Sequence, residues 1–198
     1  ERWDLLNFLH ANSRGYQSRI ITPRILPEQP FMATPNFSYT AHDGSSGTLK
    51  DFRGKQNLLL VLFSWPESRV RLDQLRTAST AITATSTAIL AVPMTDLPPD
   101  ELTSIAQGMP FPVITQGGRE ISRSYALFRR TLSIPDLFGE GTRQSHMEFL
   151  FDRFGYLRAR WIPHGDGPSW TDMSLLTQQI TQLNQEREIL PPPGDHVH

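Results

Sequence analysis

The side chains that could do chemistry in this chain are those of serine, histidine, methionine and the acidic residues, because the 198 residues include no cysteine. Without a thiolate, disulfide exchange, thiol peroxidase chemistry and thiolate metal sites are all excluded. Two kinds of candidate remain: Ser68, at the start of a predicted helix, and the six histidines. Serine becomes a nucleophile beside a base, and histidine binds metals or transfers protons.

Ser68 lies in "SWPESRVRLDQL", directly after an apolar run. A serine nucleophile requires a base for its proton and donors for the oxyanion. No histidine is near Ser68 in the sequence, and no G-x-S-x-G elbow is present. The sequence therefore favours Ser68 as the residue that caps or begins the helix. An enzyme acting through Ser68 is the minor alternative.

His146, Met147 and Glu148 are the second candidate group. Imidazole and thioether ligands suit copper. Adjacent residues of a strand point to opposite faces, so His146 and Glu148 share a face and Met147 turns away. A copper site here would lack an assigned third ligand, and a structural role for His146 is favoured.

The other candidate metal ligands lie towards the C-terminus. His164 is in the Gly-rich turn "IPHGDGPSW", two residues before Asp166, where a solvated loop histidine is expected. His196 and His198 form H-x-H in a Pro-rich tail, and two ligands on a floppy chain bind metal weakly. We therefore expect no cofactor, with copper as the alternative.

Composition limits the classes of function. Hydrophobic residues make up 38% of the chain and charged residues 20%, which predicts a folded core. A net charge of -1 argues against a nucleic-acid partner. No apolar run approaches the roughly 20 residues of a membrane span, and no signal peptide is visible. Because the chain begins at Glu1, within a helical pattern, we expect a piece of a longer protein.

The elements that must position these side chains alternate between strand and helix. Two short strands flank Asp43-Gly44; the buried strand "NLLLVLF", a helix beginning near Arg69, and the strand "TAILAVPM" follow. Next come the helix "PPDELTSIAQG", the strand "FPVITQ", the helix "REISRSYALF" and the hairpin "MEFLFDRFGYLRARWIP". A final helix is predicted with Ser169 or Thr171 as its cap. Alternation implies parallel pairing with right-handed crossovers, and the hairpin adds an antiparallel edge.

Four stretches together resemble the thioredoxin-like redoxins, the group that includes thiol peroxidases and periplasmic thiol-disulfide proteins. They are "DGSSGTLKDFRGK", "NLLLVLFSWPESRVRLDQL", "REISRSYALF" and "EFLFDRFGYLRARW". The resemblance spans about residues 36 to 185 and implies an α/β thioredoxin-like fold. It implies a central mixed sheet with helices on both faces and an N-terminal β-hairpin.

The active-site positions depart from this family. Where the family has C-x-x-C, this chain has Trp65, Pro66, Glu67 and Ser68. His146 takes the position that thioredoxins fill with a cis-proline and thiol peroxidases often with arginine. The histidine of the copper-delivering Sco proteins would fall near Gln144, so no family catalytic residue transfers. Trp65 is expected to fill the space of the lost thiol pair.

The first residues carry a second resemblance. "ERWDLLNFLHANS" is similar to the last helix of c-type cytochrome domains, although no C-x-x-C-H is present. This implies the tail of a multidomain copper-export-like protein with a cytochrome c module, and a periplasmic or extracytoplasmic location. The predicted organisation is the terminal helix of an upstream module (1–13), a linker (14–35), the thioredoxin-like domain (36–190) and a flexible tail (191–198).

We therefore expect a non-catalytic module that serves as a docking or structural domain of an exported, membrane-tethered redox or copper-handling protein. The alternative is a copper-binding module with His and Met ligands. Its partners would be another protein or the upstream domains of the same chain. The apolar stretch 128–141, an insertion before the hairpin, is expected to pack on the domain or to form a partner surface.

Overall fold

The computed structural model describes residues 20–27, 32–126, 128 and 144–187, without the side chain of His164. The elements in chain order are β1 (Ser38–Ala41), β2 (Ser46–Thr48), β3 (Asn57–Phe63), α1 (Arg69–Thr83), β4 (Thr87–Pro93), α2 (Pro99–Gln107), β5 (Ile114–Gln116), α3 (Gly118–Ala126), β6 (His146–Phe151), β7 (Leu157–Trp161), α4 (Pro163–Asp166) and α5 (Met173–Gln185). Short 3-10 helices lie at Leu49–Phe52 and Ser169–Thr171.

The central sheet has four strands in the order β4–β3–β6–β7. β3 and β4 are parallel, whereas β6 runs antiparallel to both β3 and β7. The predicted mixed sheet with a late antiparallel hairpin is therefore confirmed. The register places His146 opposite Phe63, at the end of β3. The next residues but one, Trp65–Ser68, are the four that stand where the family has C-x-x-C, and we call them the degenerate motif.

Strand β3 is buried on both faces, which explains its unbroken apolar sequence. Leu59, Val61 and Phe63 pack in one core cluster with residues of α1, α2 and α5. Leu58, Leu60 and Leu62 pack in a second cluster with residues of α3 and the N-terminal region. Helices therefore cover both faces of the sheet, as the resemblance implied.

The N-terminal hairpin belongs to a second, smaller sheet with the order β2–β1–β5. A single β-bridge between Ala91 of β4 and Val113, the residue before β5, joins this smaller sheet to the central sheet. Gly117, with a φ of +91°, turns the chain from β5 into α3, and a Cβ there would come within 2.5 Å of Ser38 O. Only glycine suits this turn, because the left-handed backbone and the close approach both exclude a side chain.

Part of the predicted linker lies along the free edge of β7. Arg160 N donates to Thr22 O at 3.1 Å, and Met32 and Leu157 exchange two backbone hydrogen bonds. Ile21 is completely buried, and Trp170 Nε1 donates to Pro23 O at 2.9 Å. These contacts cover backbone groups that an edge strand would otherwise expose. Residues 1–19 and the tail 191–198 lie outside the described residues.

The start of the final helix differs from the sequence-based prediction. Its cap is Asp172, whose side chain accepts a hydrogen bond from Ser174 N at 2.9 Å. Ser169 and Thr171 instead form the preceding 3-10 helix, so the prediction that one of them caps the helix was wrong. Asp172 is suited to this position because the oxygen of an aspartate at the N-cap readily reaches the backbone amide two residues further on, here that of Ser174.

The apolar insertion and the possibility of a membrane span were both raised by the sequence. Of the insertion 128–141, the described residues include only Phe128, which is 1% exposed and packs in the second core cluster. Among the helices that the structure describes, none is long and apolar enough to cross a membrane.

Candidate functional site

The degenerate motif forms the connection between β3 and α1. Trp65 is half-buried and packs against the first core cluster, whereas Pro66 and Glu67 are exposed. Ser68 is only 2% exposed. The motif therefore points its two end residues into the protein and its two middle residues outwards, and Trp65 contributes to packing as its sequence position predicted.

Ser68 precedes the first residue of α1, but its side chain makes no capping hydrogen bond to the helix. Its Oγ lies 3.0 Å from Ser145 O, to which it donates, and 3.0 Å from Nδ1 of His146. It also accepts a hydrogen bond from Ser64 N at 3.3 Å. Ser68 therefore stands at the N-cap position of α1, but its side chain contacts Ser145 and His146 and does not cap the helix.

His146 reaches Ser68 because β3 and β6 are paired, although the two residues are 78 positions apart. The other ring nitrogen, Nε2, lies 2.8 Å from Glu148 Oε1. The edge of the imidazole meets the ring of Trp161, with centroids 5.9 Å apart. His146 and Glu148 thus share one face of β6, as strand geometry predicts, and both ring nitrogens have a polar partner.

Glu148 is fully buried and forms a two-point ion pair with Arg71 of α1. Arg71 Nε donates to Oε1 at 2.6 Å, and Nη2 donates to Oε2 at 2.9 Å. Burial raises the pKa of Glu148, but the charge and hydrogen bonds of Arg71, together with the hydrogen bond of His146, outweigh burial and lower it to about 2. Glu148 is therefore an ionised acceptor, so His146 Nε2 is the donor to it.

Arg71 has further partners near the C-terminal helix. Nη1 donates to Trp170 O at 2.7 Å, and the guanidinium lies over the ring of Trp161, 4.8 Å from its centroid. The residue is only 7% exposed. Ser68, His146, Glu148 and Arg71 form a continuous chain of contacts, which we call the buried network. It links α1, β6 and the segment before α5.

The buried network contains the serine–histidine–carboxylate order of a hydrolase triad. A histidine with a carboxylate behind it therefore does reach Ser68 Oγ, which the distance along the sequence did not suggest. However, Ser68 has one proton and two acceptors at 3.0 Å, Ser145 O and His146 Nδ1. Because Ser68 is 2% exposed, a substrate carbonyl could not approach its oxygen in this conformation. The geometry favours a structural role.

Of the four candidate metal ligands, only the side chain of His146 lies within the described residues. His164 lies in α4, but its side chain, like His196 and His198 as a whole, falls outside the described residues. Within the described part of the chain, no group of three His, Cys, Asp or Glu residues could hold a metal ion. A metal at His146 would have to displace Ser68 or Glu148 from the imidazole. Gln144 is buried two residues before His146.

Sequence reasoning did not identify Arg71, Trp161 or Trp170 as part of this site. Arg71 stands next to Leu72, on the inward side of α1, where an arginine must find a buried partner. Arg158 and Arg160, in the otherwise apolar strand β7, give a similar indication of buried ion pairs. Both are buried, and Arg158 pairs with Asp152 and Glu186. An arginine within an apolar pattern is the feature that could have revealed these contacts.

No protein-family model and no curated protein matches the sequence. Solved structures do match it in fold.

A protein from Chlorobium tepidum assigned as thiol:disulfide interchange protein DsbE has 18% identity and a TM-score of 0.57, over 79% of this chain and 98% of that one. A protein from Neisseria meningitidis assigned as a thioredoxin has 15% identity and a TM-score of 0.59, over 82% of this chain and 97% of that protein. BsSco, of the Sco family of cytochrome c oxidase assembly proteins, has 13% identity and a TM-score of 0.58, over 82% and 99%. The chain therefore has the thioredoxin-like α/β fold, without a cysteine.

Proposed function

We propose that this domain is a non-catalytic thioredoxin-like module, which acts as a docking or structural unit of an exported, membrane-tethered redox or copper-handling protein. The observation that carries the proposal is the buried network. At the positions where the resembling family has its thiols, the chain has a half-buried Trp65 and a Ser68 bonded into the protein interior. The extracytoplasmic setting rests on the resemblance alone.

The energetics of the buried network support a structural role. A buried charge is stable only when an opposite charge and hydrogen bonds compensate for lost hydration. Glu148 has three such contacts, two from Arg71 and one from His146. Arg71 in turn is held by Trp170 O and by the face of Trp161. Satisfied polar networks of this kind rigidify a core and specify a single arrangement.

The surface above the network supports contact with a protein. Val70, in the first turn of α1, is 72% exposed, and exposed Pro66 and half-buried Trp65 precede it. We call these three residues the motif surface. Apolar side chains next to a half-buried aromatic residue are typical of interface anchors. A module without its own chemistry can use such a surface for binding.

We predict that the purified protein has no chemistry at Ser68 or at the motif. It should match buffer in insulin reduction and in peroxide consumption, because no thiolate is present. A fluorophosphonate probe should leave Ser68 unlabelled, since the hydroxyl is buried. Peptide mass spectrometry of the native and the urea-unfolded protein provides the measurement. Stoichiometric labelling of native Ser68 that disappears in Ser68→Ala would show a hydrolytic site instead.

We predict that Glu148→Gln lowers the free energy of unfolding at pH 7 by about 3–5 kcal/mol, because it leaves the buried guanidinium of Arg71 without a counter-charge. The folded-state pKa of Glu148 lies below its ordinary value of 4.5, at about 2. Its contribution to stability is therefore complete above about pH 4.5 and decreases as the pH falls towards 2. In urea unfolding at pH 7, 4.5 and 3, the difference in free energy of unfolding between wild type and Glu148→Gln should become smaller as the pH falls.

The matched control for this experiment is Glu67→Gln, an identical substitution at an exposed position of the same motif. It should change the free energy of unfolding by no more than about 0.5 kcal/mol at any of these pH values. Two outcomes would contradict a stabilising role of the buried network: equal effects of the two substitutions, or a loss of unfolding free energy in Glu148→Gln that does not depend on pH.

We predict that the motif surface contacts a protein partner or another domain of the same polypeptide. A photo-crosslinking amino acid at Val70, in the full-length protein expressed in its own cells, should yield a discrete adduct or an intramolecular crosslink. The control places the same amino acid at Leu26, which is 49% exposed and lies in the N-terminal segment beside β7, where its carbonyl accepts a hydrogen bond from Arg158. Identical products from both positions, or none from Val70, would count against docking through this surface.

A further inference from the structure

A cleft of about 460 Å³ lies beside the degenerate motif, where the parallel strands β3 and β4 end. Ser64 follows β3 and Met94 follows β4, and both line the cleft. Met147 of β6 also lines it, on the face of the sheet opposite to His146. Ligands of open α/β sheets commonly bind at the carboxyl ends of the strands, and small-molecule pockets measure roughly 300–1,000 Å³.

One wall of the cleft carries positive charge. Arg119 and Arg123 line it from α3, and their spacing of four residues places them on one side of the helix. Within the part of the chain that the structure describes, neither guanidinium forms an ion pair or a hydrogen bond. Among the described residues that line the cleft, Asp96 is the one carboxylate. The charges of these described lining residues therefore sum to +1, which suits a ligand with a single negative charge.

The uncharged part of the lining is mixed: three side chains are apolar, and four carry hydroxyl or amide groups, namely Ser64, Thr95, Ser122 and Gln144. Met94 is half-buried, and Met147 is 3% exposed and packs into the second core cluster. The methyl group of Ala126 completes this side. Thioether side chains are flexible and polarisable, so they adapt to the shape of an apolar ligand. The cleft thus combines two guanidinium groups with three apolar side chains that an aliphatic group can contact.

We propose that this cleft binds a small organic monocarboxylate with a short aliphatic chain. The carboxylate would accept hydrogen bonds from Arg119 and Arg123, whose planar groups match its geometry. The aliphatic chain would contact Met94 and Met147. The cleft shares no lining residue with the motif surface or the buried network, so the proposal goes beyond the function proposed above and does not rest on it.

The test uses hexanoate as the probe and follows backbone amide shifts of the ¹⁵N-labelled full chain. Hexanoate should produce saturable shifts at Ser64, Met94 and Arg119. The double variant Arg119→Gln/Arg123→Gln should bind at least about tenfold more weakly, since it removes both charge-assisted hydrogen bonds to the carboxylate. The charge-matched control is Arg69→Gln/Arg76→Gln on α1, which should bind as the wild type does.

Two further arms separate the parts of the proposal. Asp96→Asn should tighten hexanoate binding, because it removes a like charge, and a gain of affinity cannot result from misfolding. Hexan-1-ol should bind at least about tenfold more weakly than hexanoate, and inorganic phosphate more weakly as well. The proposal is overturned if hexanoate shifts do not saturate, if the α3 and α1 double variants bind equally well, or if hexanol or phosphate binds as tightly as hexanoate.

Discussion

Glu148 is completely buried in the middle of the sheet, so its charge must be balanced within the protein. Arg71 supplies that balance from α1 through two hydrogen bonds, and the same guanidinium binds the carbonyl of Trp170 before the final helix. One ion pair therefore connects the central strand pair, the first helix and the C-terminal segment. His146 and Ser68 extend these contacts to the end of β3, where the motif begins.

The thioredoxin-like scaffold in this chain is separated from the chemistry that its structural neighbours are named for. The strand that leads into the motif, the helix that follows it and the antiparallel β6 next to it are all in place. In this chain an ionised carboxylate and its partners occupy the interior beside the motif, and no thiol is available. A fold can be kept while its site changes, because packing of the sheet and helices does not depend on the reactive groups.

Sequence patterns predicted most of the fold because its strands and helices have strong periodicity. The run "NLLLVLF" is apolar throughout since β3 is covered on both faces, and the alternation in β6 placed His146 and Glu148 on one side. The partner of Glu148 was not predictable in this way. Arg71 lies 77 positions away, and its contact depends on the register between β3 and β6 and on the packing of α1. The cap of the last helix was missed because Asp172 competes with two neighbouring hydroxyl residues, and local geometry decides among them.

The proposal that the buried network stabilises the fold is tested most directly by a double-mutant cycle on Arg71 and Glu148. The free energies of unfolding of wild type, Arg71→Met, Glu148→Gln and the double variant are measured by urea at pH 7. A buried ion pair predicts that each single substitution is costly and that the double variant is less destabilised than their sum by at least about 2 kcal/mol, because no charge is left uncompensated. Additive effects within about 0.5 kcal/mol would show that the two residues are not coupled and would contradict the account.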